Sequence, residues 1–227
     1  MAQEVRMQIV ARVRSDFSTK FGIPRQSGLV EELESLIVFE PEFRDANALR
    51  GIEQFSHLWL IWQFSENADA GWSPTVRPPK LGGNARLGVF ATRSPFRPNP
   101  IGLSSVRLLA VEQRPGLGTV LRISGADLMD GTPILDIKPY VPYTDARADA
   151  RQGYTARTGE GRVRVEFPEE HLMRVPAAKR AALIGALEQD PRPGYQDDGN
   201  RVYGFPFAGL EIRFRVAEGT LFVTDVK

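Results

Sequence analysis

Cysteine is absent from the 227 residues. That excludes disulfides, thiolate nucleophiles, cysteine-bound zinc and iron–sulfur clusters together. Histidine occurs only at positions 57 and 171, far apart and without ligand spacing. No metal is therefore expected, although carboxylates alone can still hold magnesium. Long apolar runs are missing too: "HLWLIWQF" at 57–64 is far too short to span a bilayer. The opening "MAQEVRMQIVARVRSDF" lacks the apolar core and small-residue cleavage site of a secretory signal, so a cytoplasmic protein without membrane contact is expected. There is no G-x-G-x-x-G or Walker A loop, no G-x-S-x-G elbow, no H-E-x-x-H and no EF-hand. The common dinucleotide, kinase and hydrolase readings fail with them.

One absence is local. From Ala70 to Val111 the chain contains no Asp or Glu, yet it carries Arg77, Lys80, Arg86, Arg93, Arg97 and Arg107. The net charge of +1 hides this, because the acids are gathered elsewhere. Solvated surface cations ordinarily come with interspersed acids, so a basic functional face is expected. Within the segment, "ATRSPFRPNPIGLS" (91–104) packs three prolines and two arginines into a loop that neither a helix nor a central strand tolerates. A rigid loop of unpaired arginines points to an anion.

What is present is strand-like. Apolar or β-branched runs recur at 7–15, 33–40, 57–64, 86–92, 105–113, 119–127 and 133–140, with turn residues such as "RPGLG" and "DGTP" between several of them. Helix-length segments do not alternate with these runs, so a parallel α/β sheet is not expected. "EFRDANALRG" makes one short helix that stops at Gly51. Seven strands suggest a closed barrel or a sandwich. Past Tyr154 a polar connector, "TARTGEGR", leads to "VRVEF", to the helix "PAAKRAALIGALEQ", and to a hairpin in "LEIRFRVAEGTLFVTDVK". The division expected is 1–154, a mainly β domain, and 155–227, a small α+β domain.

Three stretches are dense in rigid and polar residues: "GIPRQSG" (22–28), the acid-free 71–104, and "DLMDGTPILDIKPYVPYTDA" (127–146). Loops on a rigid scaffold commonly carry function, and three in one domain suggest a shared site. Residue chemistry alone ends at a small β domain that binds something anionic.

The long motifs "RPPKLGGNARLGVFATRSPFRPNPIGLS" and "DLMDGTPILDIKPYVPYTDA" closely resemble the TsaA-like family, which includes the TrmO-type tRNA methyltransferases. The resemblance spans roughly residues 5 to 150, and "DPRPGYQ" and "VYGF" resemble the small C-terminal domain of longer members. It implies a single-sheet β-barrel unlike the Rossmann methyltransferases, and a homodimer with S-adenosylmethionine near the subunit interface. The implied activity is methylation of the N6 amine of threonylcarbamoyladenosine at position 37, in the tRNA anticodon loop. Implied cofactor contacts are Pro24, Arg25 and Gln26, Ser65 and Glu66, Arg93, Leu103, and Asp130, Gly131, Thr132 and Pro133. The family commonly has a His-Gln pair where this chain has Ser65-Glu66, which puts side-chain roles there in doubt and leaves a backbone contact.

The missing cysteines leave polar displacement at a sulfonium, for which alignment matters more than acid–base power. Arg77, Lys80, Arg97 and Lys138 are the expected substrate contacts, suited to an RNA backbone. Asn99 is a candidate catalytic residue that accepts a hydrogen bond from the target amine, or else a turn cap acting through its own backbone. A non-catalytic RNA-binding module, or methylation of another substrate, remains compatible with the residues.

Overall fold

The computed structural model describes residues 4–67, 70–78, 81, 85–157, 161–192 and 198–227. Six strands, β1 (Ala11–Arg14), β2 (Glu34–Phe39), β3 (His57–Gln63), β6 (Ile101–Arg114), β7 (Gly118–Ser124) and β8 (Pro133–Pro139), form one antiparallel sheet in the order β1-β2-β7-β6-β3-β8. β8 also pairs with β1, through Ala11 and Arg12, so the sheet closes on itself. Alternation decides what faces inward: in β3 the buried side chains are Leu58, Leu60 and Trp62. They meet Val13, Ile37, Val106, Leu121, Ile123 and Ile134 in a first core.

The run at 86–92 is not a seventh strand of this sheet. It gives a two-residue ribbon, β4 (Thr75–Val76) with β5 (Leu87–Gly88), followed by a 3-10 turn at Val89–Ala91. The Val89 N–H donates to Pro74 O at 3.0 Å, which buries Val89 and turns Phe90 out to solvent. The helix expected before Gly51 is likewise a pair of 3-10 turns, Pro41–Phe43 and Ala46–Leu49.

After α1 (Pro142–Asp145), the chain forms β9 (Arg164–Glu166), α2 (Glu169–Leu172), α3 (Arg180–Glu188), β10 (Tyr203–Phe207), β11 (Leu210–Ala217) and β12 (Thr220–Val226). Their sheet runs β10-β11-β12-β9, with β9 parallel to β12. β10 contains Pro206 and was not expected; β11 and β12 are the expected hairpin.

The second core is not built from the C-terminal residues alone. Phe17, Val30 and Leu33, from the β1–β2 connection, are buried in it beside Phe205, Phe207 and Phe214. Lys179 Nζ reaches Asp16 Oδ2 at 2.6 Å, and Ala208 N–H donates to Asp16 O. The loop carrying "PRQ" is thus anchored at both ends of its apolar stretch by the C-terminal elements. No helix among the described residues is long and apolar enough to cross a membrane.

Candidate functional site

β6 is 14 residues long, and its two halves have different neighbours. Ile101–Arg107 pair with β3, whereas β7 pairs only with Arg107–Arg114. Along Ile101–Val106 the strand edge that would face β7 therefore has no strand partner. The β1–β2 loop fills part of this notch: Ser27 Oγ accepts from Ser105 N at 3.2 Å, and Gly28 N–H donates to Gly125 O at 2.8 Å. Strand alternation puts the backbone N–H and C=O of Leu103 on the same edge as those of Ser105. Leu103 itself is 52% exposed.

At the floor of the notch lies an acid that the sequence did not single out. Trp62 Nε1 donates to Ser104 Oγ at 3.0 Å, and Ser104 Oγ donates to Asp127 Oδ1 at 2.6 Å. Gly102 makes the approach possible, since a Cβ there would sit 2.2 Å from the Trp62 indole. Burial pushes the Asp127 carboxyl above its ordinary value, against hydrogen bonds from Ser104 and the Ser27 backbone and the nearby charge of Arg93. Arg93 in turn donates from Nη1 to Gln26 Oε1. Gln26, Ser27, Arg93, Ser104 and Asp127 are thereby brought into one polar network. It joins the "PRQ" loop, the proline-rich loop, and the segment just before "DGTP".

The other expected contacts are distributed around it. Pro24 is buried. The Arg25 guanidinium turns to the C-terminal elements, donating from Nη2 to Arg192 O at 2.7 Å, and burial lowers its pKa. Its side chain is an anchor for the loop. Asp130 accepts from Ser15 N at 3.1 Å and faces Arg14 at 3.7 Å, while Gly131 N–H donates to Val13 O. Thr132 and Pro133 are buried, with Thr132 Oγ1 donating to Met129 O, so this pair serves the turn. Ser65 and Glu66 are exposed at the start of a 3-10 turn after β3.

Among the described cations of the acid-free segment, Arg77, Arg86, Arg93, Arg97 and Arg107, none joins an ion pair, while cations elsewhere pair repeatedly. Arg77 is exposed. Arg97 is committed to the loop: its Nη1 donates to Thr92 O and Ser94 O, and its guanidinium lies over Phe90 at 5.9 Å. Lys138 pairs with Asp136 at 2.8 Å on β8. Lys80 lies outside the described residues. Asn99 is exposed; its carbonyl accepts from Ile101 N at 2.7 Å, and among the described residues its side chain makes no hydrogen bond, so it does not cap the turn. Phe90, Phe96 and Trp72 are exposed on the same segment, and Ser73 N–H donates to Phe96 O. A separate cleft of about 510 Å³ between the β1–β2 loop and α3 is rimmed by Glu31, Glu32 and Glu188.

The sequence profile of the tRNA-methyltransferase O N-terminal domain matches residues 12–146, and that of the TrmO C-terminal domain matches 160–227. The chain belongs to the tRNA-methyltransferase O family. An Escherichia coli K12 member of the family, named tRNA (adenine(37)-N6)-methyltransferase, is 40% identical over 214 residues, covering 91% of each chain. A Pseudomonas aeruginosa relative, named provisionally as an S-adenosylmethionine-dependent methyltransferase, is 43% identical and covers 90% of each. A solved structure titled as TrmO from P. aeruginosa superposes with a TM-score of 0.80 at 36% identity, over 100% of this chain and 98% of that one.

Proposed function

We propose that this protein methylates the N6 amine of adenine 37 in tRNA, taking the methyl group from S-adenosylmethionine. The substrate form we infer is threonylcarbamoyladenosine. Membership of a tRNA methyltransferase family and the names of its relatives support the reaction class. The observation that carries the site is the notch beside β6, where a partly buried carboxylate, an arginine and an unpartnered strand edge converge. These groups fit the cofactor: Leu103 offers backbone donors and acceptors to a heterocycle, and Asp127, Arg93 and Gln26 offer charge and hydrogen bonds to its polar end. When bound, S-adenosylmethionine supplies an activated methyl on a sulfonium. The chain's own part is to hold the two reactants in line and keep water from between them.

Arginines without acidic partners suit an RNA backbone, and exposed Phe90, Phe96 and Trp72 offer faces on which splayed loop bases stack. Asn99, whose side chain makes no hydrogen bond among the described residues, is proposed to accept one from the target amine. The same exposed apolar residues, with Ile101 and Leu103, support a homodimer formed beside the cofactor site. We further propose that the chain divides near residue 155 into a β-barrel and a smaller α+β domain, and that it acts in the cytoplasm.

Incubating the protein with S-adenosylmethionine and tRNA that either carries or lacks the threonylcarbamoyl group, then digesting to nucleosides for mass spectrometry, tests the reading. A methylated threonylcarbamoyladenosine is expected. Methylation of only the unmodified adenine would overturn the substrate form, and no methylation of either tRNA would overturn the activity.

A further inference from the structure

Asp127 and Arg93 belong to one polar network without joining. The Arg93 charge acts on the Asp127 carboxyl, yet no ion pair within 4.0 Å links them, and the guanidinium instead donates to Gln26. Had they served only to neutralise each other, a direct contact would be the cheap arrangement, since partial burial disfavours a carboxylate that is not closely paired. Asp127 is held apart by two groups. Ser104, itself fixed by Trp62, takes one carboxylate oxygen, and the Ser27 backbone favours the charged form. Arg93 is held by the loop that carries Ser27. A negative and a positive group are thus kept in register at one notch with neither satisfied by the other.

We propose that Asp127 and Arg93 together read the amino-acid end of S-adenosylmethionine, Asp127 accepting from the ammonium and Arg93 facing the carboxylate. The inference rests on the cofactor assignment above and names the part of the ligand that this pair binds. A zwitterion of that size presents a donor and an acceptor on neighbouring atoms, the complement of an acceptor and a donor brought into one polar network. Ligand binding also brings a cation to a carboxylate that burial had disfavoured, which explains why an acid is retained where the fold alone is penalised for it. The charged and polar groups facing Asp127 are Arg93, Ser104 and the Ser27 backbone.

The test is calorimetry on the full chain with three ligands: S-adenosylmethionine, its decarboxylated form, and 5′-methylthioadenosine, which lacks the whole amino-acid end. Asp127→Asn should weaken S-adenosylmethionine roughly ten- to a hundredfold, the range for a lost charge-assisted hydrogen bond. It should weaken the decarboxylated ligand similarly and leave methylthioadenosine unchanged. Arg93→Gln should weaken S-adenosylmethionine while sparing the decarboxylated ligand. Unchanged methylthioadenosine binding also certifies that the Asp127→Asn site has kept its shape. Ser104→Ala, which leaves the charge but frees it to turn, should give a smaller loss of the same pattern. Equal weakening of all three ligands by Asp127→Asn would overturn the proposal in favour of a structural or ribose-binding role. Wild-type protein that binds none of the three would overturn the cofactor assignment itself.

Discussion

Trp62 and Ser104 sit on neighbouring strands, and the indole Nε1 donates to the serine hydroxyl at 3.0 Å. With that acceptor site occupied, the serine proton is aimed at Asp127, 2.6 Å away. Trp62→Phe keeps an aromatic ring in the core but removes the donor. It should cost about 1–3 kcal/mol, the scale of a buried polar group left short of its partner. Thermal unfolding measures that loss. Cofactor affinity should fall as well, by less than in Asp127→Asn, because the acid remains but its orientation is released. Unchanged affinity would show that Ser104 orients nothing the ligand feels.

Phe205 ties the site to the far core. Its ring lies against Gly22, whose φ of +97° and lack of a Cβ allow contact, since a Cβ there would stand 2.4 Å from the ring. It also packs with Phe17, Phe21 and Phe214. Gln26 and Ser27 follow only a few residues later in the same loop. Phe205→Ala should cost about 3–5 kcal/mol. At temperatures where the variant is still folded, S-adenosylmethionine affinity should drop, although residue 205 belongs to the C-terminal sheet. Retained affinity in the folded variant would show that the loop holds its shape without this anchor.

The elements legible in the sequence were those whose signal is local. The β3 run alternates cleanly, α3 follows a proline start, and the β11–β12 hairpin has strands on both sides of "AEGT". The segment 86–92 reads as a strand because Val89 and Phe90 favour one, yet a hydrogen bond to Pro74 sends one inward and the other to solvent. Tertiary pairing overrode propensity there. Gln26, Arg93 and the "DGTP" turn were expectations from family resemblance. Asp127 was not, because its meaning comes from Ser104, 23 residues away, and through it from Trp62, 42 residues further back. No spacing rule connects those three positions. The same holds for Arg25, named through the resemblance, and Arg97, named for its charge, which donate to backbone carbonyls of the protein itself.

Arg77 and Arg97 should therefore behave differently. Arg77 is exposed and joins no ion pair among the described residues, so Arg77→Ala should leave the melting temperature unchanged. It should reduce the slope of log tRNA affinity against log salt by about 0.7 to 0.9, the loss of one phosphate contact. Arg97→Ala removes donors to two loop carbonyls and the cover over Phe90. It should lower the melting temperature and loosen the loop. Filter binding across a salt series separates the two, and an unaltered slope for Arg77→Ala would make that arginine an ordinary surface charge.

Asp127 also sets a pH dependence of stability whose sign is unusual for an acid. Its carboxyl is shifted upward in the folded protein, chiefly by burial, from an ordinary value of 3.8. Between that value and the raised one, the folded state binds the proton more tightly than the unfolded state does. Stability contributed by this group therefore falls as pH rises through the window and stays reduced at neutral pH. Asparagine resembles the neutral acid and can still accept from Ser104. Asp127→Asn should accordingly raise the melting temperature of the ligand-free protein at pH 7, by about 2–4 °C for each kcal/mol recovered. The advantage should shrink as pH is lowered toward the unfolded carboxyl's range, where the wild-type residue is protonated as well. Saturating S-adenosylmethionine should reverse the order at pH 7, because only the wild type gains the cation that the carboxylate accepts. Melting curves of the two proteins across pH, with and without ligand, supply the measurement; a variant less stable than wild type at every pH in the absence of ligand would show that hydrogen bonding, and not burial, governs this acid.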